Sequence, residues 1–201
     1  MRVVHVFILV QYASMPLLFA GATAAAASST GAAEEPPVSI SSLRSSAENA
    51  LTKGEHDEAL ALFSRVCELE PMNERNYYKR FRVYLTKRRY KDAISDLTKA
   101  LDIKPGYKQA LAQRAKLLRM VGDCSASVAD YAALQQLDPG NKDMGEGIPL
   151  SQACKDALQQ AEKSKRRRDW VKARDLYEAA IEHTAAAPAL LMEKARCSWH
   201  L

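Results

Sequence analysis

The chain has 201 residues, 47% of them apolar and 26% charged, with a formal net charge of +5. That composition excludes a disordered or low-complexity polymer and leaves room for one substantial folded domain. After residue 40, Ala, Leu, Lys, Glu and Arg dominate and β-branched residues are sparse, so an all-α protein is expected.

The first element is not part of that domain. Arg2 precedes the apolar stretch Val3 to Phe19, and Ala22, Ala24 and Ala26 follow. This is the layout of a signal peptide over residues 1–27, with small side chains where a peptidase cuts. The alternative is an uncleaved anchor, since roughly 17–20 apolar residues nearly span a bilayer. Pro16 and the Ala-rich exit disfavour a continuing helix and favour cleavage. The expected destination is the endoplasmic-reticulum lumen, with membrane contact only during translocation. Residues 28–39, containing Pro36 and Pro37, read as a flexible lead-in.

Beyond it the sequence is periodic. Leu69-Glu70-Pro71, Ile103-Lys104-Pro105 and Leu137-Asp138-Pro139 recur at a spacing of 34, the length of a tetratricopeptide (TPR) unit of two antiparallel helices. With each proline at position 32, units one to three span residues 40–141. Positions 8, 20 and 27, where the paired helices touch, hold Ala47, Ala59 and Val66, then Phe81, Ala93 and Ala100, then Ala115, Ser127 and Leu134. Position 24 holds Phe63, Leu97 and Tyr131, and position 15, a turn that tolerates positive φ, holds Gly54 and Gly122.

A fourth unit, 154–187, fits only when shifted: Ala161, Ala173, Tyr177 and Ala180 then fill positions 8, 20, 24 and 27. The intervening residues 142–153 contain Gly145, Gly147 and Pro149. They are expected to open as a loop, their later part extending the next helix backwards. Residues 188–201 form the first helix of a fifth unit. Leu190, Leu191, Met192 and Trp199 do not resemble a polar capping helix, so the natural protein is expected to continue. The fold expected is a right-handed TPR superhelix of antiparallel helix pairs, about four units plus one extra helix.

Catalytic and metal chemistry have no motif to rest on. Cys67, Cys124, Cys154 and Cys197 are irregularly spaced without a CxxC, and His5, His56, His183 and His200 are scattered. Buried free thiols are the favoured reading, and no cofactor or metal is expected. No phosphate loop, GxSxG or HExxH occurs, so the chain is read as a binding protein and not an enzyme.

In a TPR array the first helix of each unit lines a groove through positions 2, 5, 9, 12 and 13. The candidate peptide-binding residues are therefore Arg44, Leu51, Arg75, Tyr78, Arg82, Leu85, Ala112, Lys116, Arg119, Met120 and Leu158. The apolar members suit extended apolar side chains, and the cations suit peptide carbonyls or acidic residues. Lys87-Arg88-Arg89 and Arg166-Arg167-Arg168 fall on turns between paired helices. Without interleaved aromatics they read as a solvated or weakly acid-binding rim, and nucleic acid is not expected as a partner.

The stretch Tyr77-Tyr78-Lys79-Arg80, then Tyr84-Leu85, Ala93-Ile94-Ser95-Asp96-Leu97-Thr98-Lys99-Ala100 and Ala110-Leu111-Ala112-Gln113-Arg114 resembles the N-terminal TPR region of endoplasmic-reticulum J-domain co-chaperones. These belong to DnaJ subfamily C and are also known as inhibitors of the interferon-induced and PERK kinases. The resemblance covers most of residues 43–200. It implies a lumenal holdase that binds unfolded or misfolded clients in the context of the stress response and passes them to BiP through a J domain. No His-Pro-Asp tripeptide or J-domain sequence is present, so the chain is expected to be the client-binding portion alone and to reach BiP only indirectly. The carboxylate-clamp TPR signature is missing, because its five positions hold Arg44, Glu48, Lys79, Gln109 and Gln113. A TPR adaptor for one folded partner and a kinase inhibitor acting by binding are the alternatives.

Overall fold

The computed structural model describes residues 39–185 and 187–201. The signal-peptide expectation and nearly all of the lead-in lie outside the described residues. Among those described there are nine helices and no strand. Four pairs follow in chain order: α1 (Ile40–Lys53) with α2 (His56–Leu69), α3 (Glu74–Thr86) with α4 (Tyr90–Ile103), α5 (Lys108–Val121) with α6 (Cys124–Leu137), and α7 (Asp143–Arg166) with α8 (Trp170–Glu182). The last helix, α9 (Pro188–Trp199), packs on α8. This is a TPR superhelix.

Local chemistry sets the ends of the helices. Ser39, Asn73, Asp123 and Asp169 cap α1, α3, α6 and α8 by accepting a bond from a first-turn backbone N–H. The second helices of the first three pairs stop because Glu70, Lys104 and Asp138 precede prolines and are held extended, at φ −129°, −136° and −154°. Within the pairs the chain reverses through one left-handed residue. Gly54 (φ +82°) and Gly122 (φ +95°) take it without strain, whereas Arg88 (φ +56°) and Arg168 (φ +60°) adopt it at roughly 1 kcal/mol each.

Every residue assigned to a helix-helix contact is buried, Ala47, Ala59, Ala93, Ala100, Ala115, Ser127, Ala161, Ala173 and Ala180 completely so. Phe63, Leu97, Tyr131 and Tyr177 fill the gaps between units. A bidentate ion pair recurs with the period. Arg80 binds Asp96 at 2.8 and 2.6 Å and reaches Ser64 at 3.2 Å; Arg114 binds Asp130 at 2.7 and 2.7 Å and reaches Thr98 at 3.1 Å. Each arginine thus ties both helices of its own unit to the second helix of the preceding one.

Two expectations are corrected here. Residues 142–153 do not open as a loop: α7 begins at Asp143 and runs 24 residues, against 14 for α5, adding about 15 Å of helix. Pro149 lies inside it and costs helix stability on the order of 3 kcal/mol, but tertiary burial offsets this. Met144, Gly147, Ser151 and Cys154 form one buried stripe at spacings of three and four. A Cβ on Gly147 would collide with the Tyr131 ring, so glycine is what lets α7 lie against α6 there. Ser151 shares a 2.8 Å hydrogen bond with Ser127, whose hydroxyl also lies 2.7 Å from the Ala115 carbonyl.

The second correction concerns the thiols. Cys124 and Cys154 form a disulfide from the first residue of α6 to the middle of α7, with Cα atoms 5.9 Å apart. The linear spacing hid it because the extended helix brings position 154 alongside the start of α6 and not its end. Cys67 and Cys197 are free and buried. Burial pushes the Cys67 thiol up to about 11, which makes it a poor nucleophile at neutral pH.

The disulfide closes a loop with a sequence separation of 30, so its removal should cost about 3–4 kcal/mol. Replacing Cys124 and Cys154 together by Ala, followed by urea unfolding, should lower the midpoint accordingly. An unchanged midpoint would show that the α6–α7 packing holds without the covalent link.

Candidate peptide-binding groove

The first helix of each pair presents its polar face to one side of the array, and three cavities open there. The first, about 520 Å³, lies between α1 and α3 and is lined by Glu48, Leu51, Thr52, His56, Arg82, Leu85 and Thr86. Leu51 and Leu85 form its floor; Arg82 and Glu48 stand at its rim, both exposed. His56 enters from the start of α2, its Nδ1 buried and without a hydrogen-bond partner among the described residues.

The second cavity, about 350 Å³, lies between α5 and the opening turns of α7. Its wall combines Ala112, Gln113, Lys116 and Arg119 with Tyr131, Lys142, Asp143 and Glu146. It exists because residues 142–153 are helical. The third, about 380 Å³, runs along α7 from Lys155 to Arg166, with Leu158 at its base and Ser125 of α6 at its edge.

The predicted residues divide accordingly. Leu51, Arg82 and Leu85 meet in the first cavity; Ala112, Lys116 and Arg119 meet in the second; Leu158 is in the third. Ala112 is buried and contributes only floor. Arg119 is tied to the fold, its guanidinium donating to the His183 carbonyl after α8. Met120 lines none of the three; its carbonyl accepts from the Ala185 N–H at 3.2 Å.

Three more residues do other work. Arg44 donates to Asn76 and Glu70, and Glu70 also accepts from Asn73 and Asn76. Those amide bonds, then Arg44, hold the Glu70 carboxyl below its usual range. Arg75 is exposed at the start of α3. Tyr78 is turned inward, its ring 4.7 Å from Phe81 and 5.1 Å from Tyr107, and burial raises its hydroxyl pKa. It joins α3 to Tyr107, the residue that precedes α5, and is not a free grip for a peptide. Lys79 spends its charge on Glu48, so three of the five positions where a carboxylate clamp would stand, Arg44, Glu48 and Lys79, are internally paired.

Sequence reasoning missed His56, Tyr131, Lys142, Asp143 and Glu146. His56 and Tyr131 belong to second helices, which the first-helix rule does not reach. The other three lie in the segment expected to open as a loop.

Comparison with known proteins bears on about three-quarters of the chain. No family model matches it. It is 29% identical over 157 residues to the tetratricopeptide repeat and J domain-containing co-chaperone DNJ1 of Cryptococcus neoformans var. grubii, an alignment covering 76% of this chain and 28% of that protein. The chain therefore spans little more than a quarter of that relative. Among solved structures, the P58(IPK) TPR domain superposes with a TM-score of 0.68 at 22% identity, covering 79% of this chain and 45% of the other. The first TPR of Spaghetti (RPAP3), bound to the HSP90 peptide SRMEEVD, superposes at 0.53 and 18% identity, covering 56% and 90%. These likenesses carry the TPR fold, and the curated relative is a TPR and J-domain co-chaperone.

Tyr78 and Leu85 are both half-buried against the same core cluster, but Tyr78 makes two aromatic contacts there whereas Leu85 lines the first cavity. Tyr78→Ala should cost about 2 kcal/mol of stability through the lost ring contacts, and Leu85→Gln about 1 kcal/mol or less. Thermal unfolding of the two variants checks the order; equal losses would place both residues in the same environment.

Proposed function

We propose that this chain is a co-chaperone module of the endoplasmic-reticulum lumen that holds unfolded or misfolded polypeptide along the first-helix face of its TPR array. One observation carries the reading. Three separate open cavities lie along that face, the first floored by Leu51 and Leu85 and the third by Leu158, with polar and charged residues between them. An extended chain can seat an apolar side chain over Leu51 and Leu85 while its backbone stays near polar groups such as Thr52 and Thr86. A similarity to a TPR and J-domain co-chaperone supports the same reading. The Cys124–Cys154 disulfide supports an oxidising compartment, as does the signal-peptide pattern at residues 1–27. Coupling to a BiP-type ATPase, and any role in stress, would run through a J domain, which these 201 residues do not carry.

Leu51→Gln with Leu85→Gln should weaken suppression of aggregation of a denatured model protein at least fivefold while helix content stays constant. Arg82→Glu should act less strongly and fade with salt, because exposed charge is screened over about 8–10 Å. A native chain that suppresses no aggregation would overturn the holdase reading, and a single folded partner recovered instead would put an adaptor or a kinase inhibitor in its place. For compartment, expression in animal cells should yield a lumenal protein cut within Ala22 to Ala27 and lighter by about 2–3 kDa. An intact Met1 in the cytosol would remove the lumenal part.

A further inference from the structure

Several basic residues of α7 are free of ion pairs and gathered around one cavity. On the first three units many cations are already spent: Lys79 on Glu48, Lys87 on Asp57, Arg89 on Asp92, Arg80 on Asp96 and Arg114 on Asp130. Along α7 and the turn after it, Lys155, Lys163, Arg166, Arg167 and Arg168 form no ion pair among the described residues.

Three of these five, Lys155, Lys163 and Arg166, border the third cavity, whose base is Leu158. The spacing of 155, 158, 162 and 166 puts them on one face of the helix. A favourable interaction with the helix dipole accounts for cations in the last turn, such as Arg166, but it falls off within that turn. Lys155 lies near the middle of α7, too far upstream for that explanation.

The acid on this face is already neutralised. Glu162 accepts from the Tyr177 hydroxyl and from Lys165 at 3.1 Å, and the Tyr177 bond in particular holds its carboxyl below the usual range. Lys165 is bound in turn to Glu193 of α9 at 2.7 Å. Glu193 also accepts from Arg196 at 2.8 Å, so the two carboxylates are matched by two cations, while the three cations around Glu162 remain unanswered. The cavity, about 380 Å³, lies at the small end of ligand sites. Its lining contains no aromatic ring on which a base would stack.

We propose that this cavity is a second docking site, separate from the Leu51–Leu85 cavity, and that its occupant is an acidic peptide segment. An aliphatic side chain of the peptide sits over Leu158, and flanking Asp or Glu side chains meet Lys155, Lys163 and Arg166. Site and ligand are complementary in charge, so binding depends on salt; the first cavity offers one cation free of ion pairs, Arg82, against three here, because Glu48 there is already paired with Lys79.

The test is fluorescence anisotropy with the full chain and a labelled ten-residue peptide built around Glu-Asp-Leu-Glu-Glu. Expected are saturable binding, a tenfold or greater loss in Lys155→Glu with Lys163→Glu, a graded loss in the milder Lys155→Gln with Lys163→Gln, and no change in Leu85→Gln. Circular dichroism confirms that each variant folds, and the glutamine pair decides the matter if the glutamate pair does not. The proposal is overturned if a matched peptide with Lys for Glu and Asp binds as well, if the glutamine pair binds like the native chain, or if Leu85→Gln abolishes binding. Tighter binding of single-stranded oligouridylate than of the peptide would overturn it in favour of nucleic acid. Aggregation suppression separates the two sites: the Leu51 and Leu85 variants should lose it while still binding the acidic peptide.

Discussion

Paired helices in this array meet at side chains with almost no volume, and that contact governs the rest. Helix axes lie roughly 8–10 Å apart according to what stands between them. In each of the first three units at least one of positions 8, 20 and 27 is alanine and no more than one is large: Val66 faces Ala47 and Ala59, Phe81 faces Ala93 and Ala100, and Leu134 faces Ala115 and Ser127. Deviations from the repeat pattern are therefore compensated within the unit. A second large residue at any of these positions would part the helices and widen the cavity above them, so groove geometry and core packing are one problem.

That compensation explains how much of the fold was readable. A proline every 34 residues, the small contacts and the gap-filling Phe63, Leu97, Tyr131 and Tyr177 are local chemistry repeated, and repetition multiplies a weak signal. What escaped notice depends on contacts distant in sequence. Gly145, Gly147 and Pro149 have the composition of a loop, and only the Tyr131 ring and Ser127 hydroxyl waiting on α6 make them helix. Arg88 and Arg168 stand where Gly54 and Gly122 announce a left-handed turn, yet arginine announces nothing; the unit itself imposes the conformation. Tyr78 satisfied the groove spacing but turned inward, because Phe81 and Tyr107 offered aromatic contacts that spacing cannot express.

Charge follows the same logic. The +5 net charge says little about where positive potential lies, because the strongest cations are consumed in structure. Arg80 is held fully charged by two bonds to Asp96, whose carboxyl burial pushes upward while that guanidinium pulls it down. Buried pairs of this kind add more to the definition of the packing than to net stability, since desolvation offsets much of the attraction. Their recurrence at Arg114 and Asp130 makes the first three units electrically quiet on that side. Cations free of ion pairs instead gather along α7 of the fourth unit, at Lys155, Lys163 and Arg166.

The long α7 is what separates these regions. Its first turns complete the stacking on α5 and α6 through Met144 and Gly147, while its later turns, from Ala161 onward, serve α8. One unbroken stripe thus has two successive partners. The extra length carries the fourth unit along the helix axis by about 15 Å, and the disulfide, the Arg119 bond to the His183 carbonyl and the Ala185 bond to Met120 fasten it at the displaced register. A regular array would continue the same groove from unit to unit. Here the shift interrupts it, so that the cavity over Leu51 and Leu85 and the cavity over Leu158 are lined by different residues with different charge, and each can evolve its own ligand on a shared rigid frame.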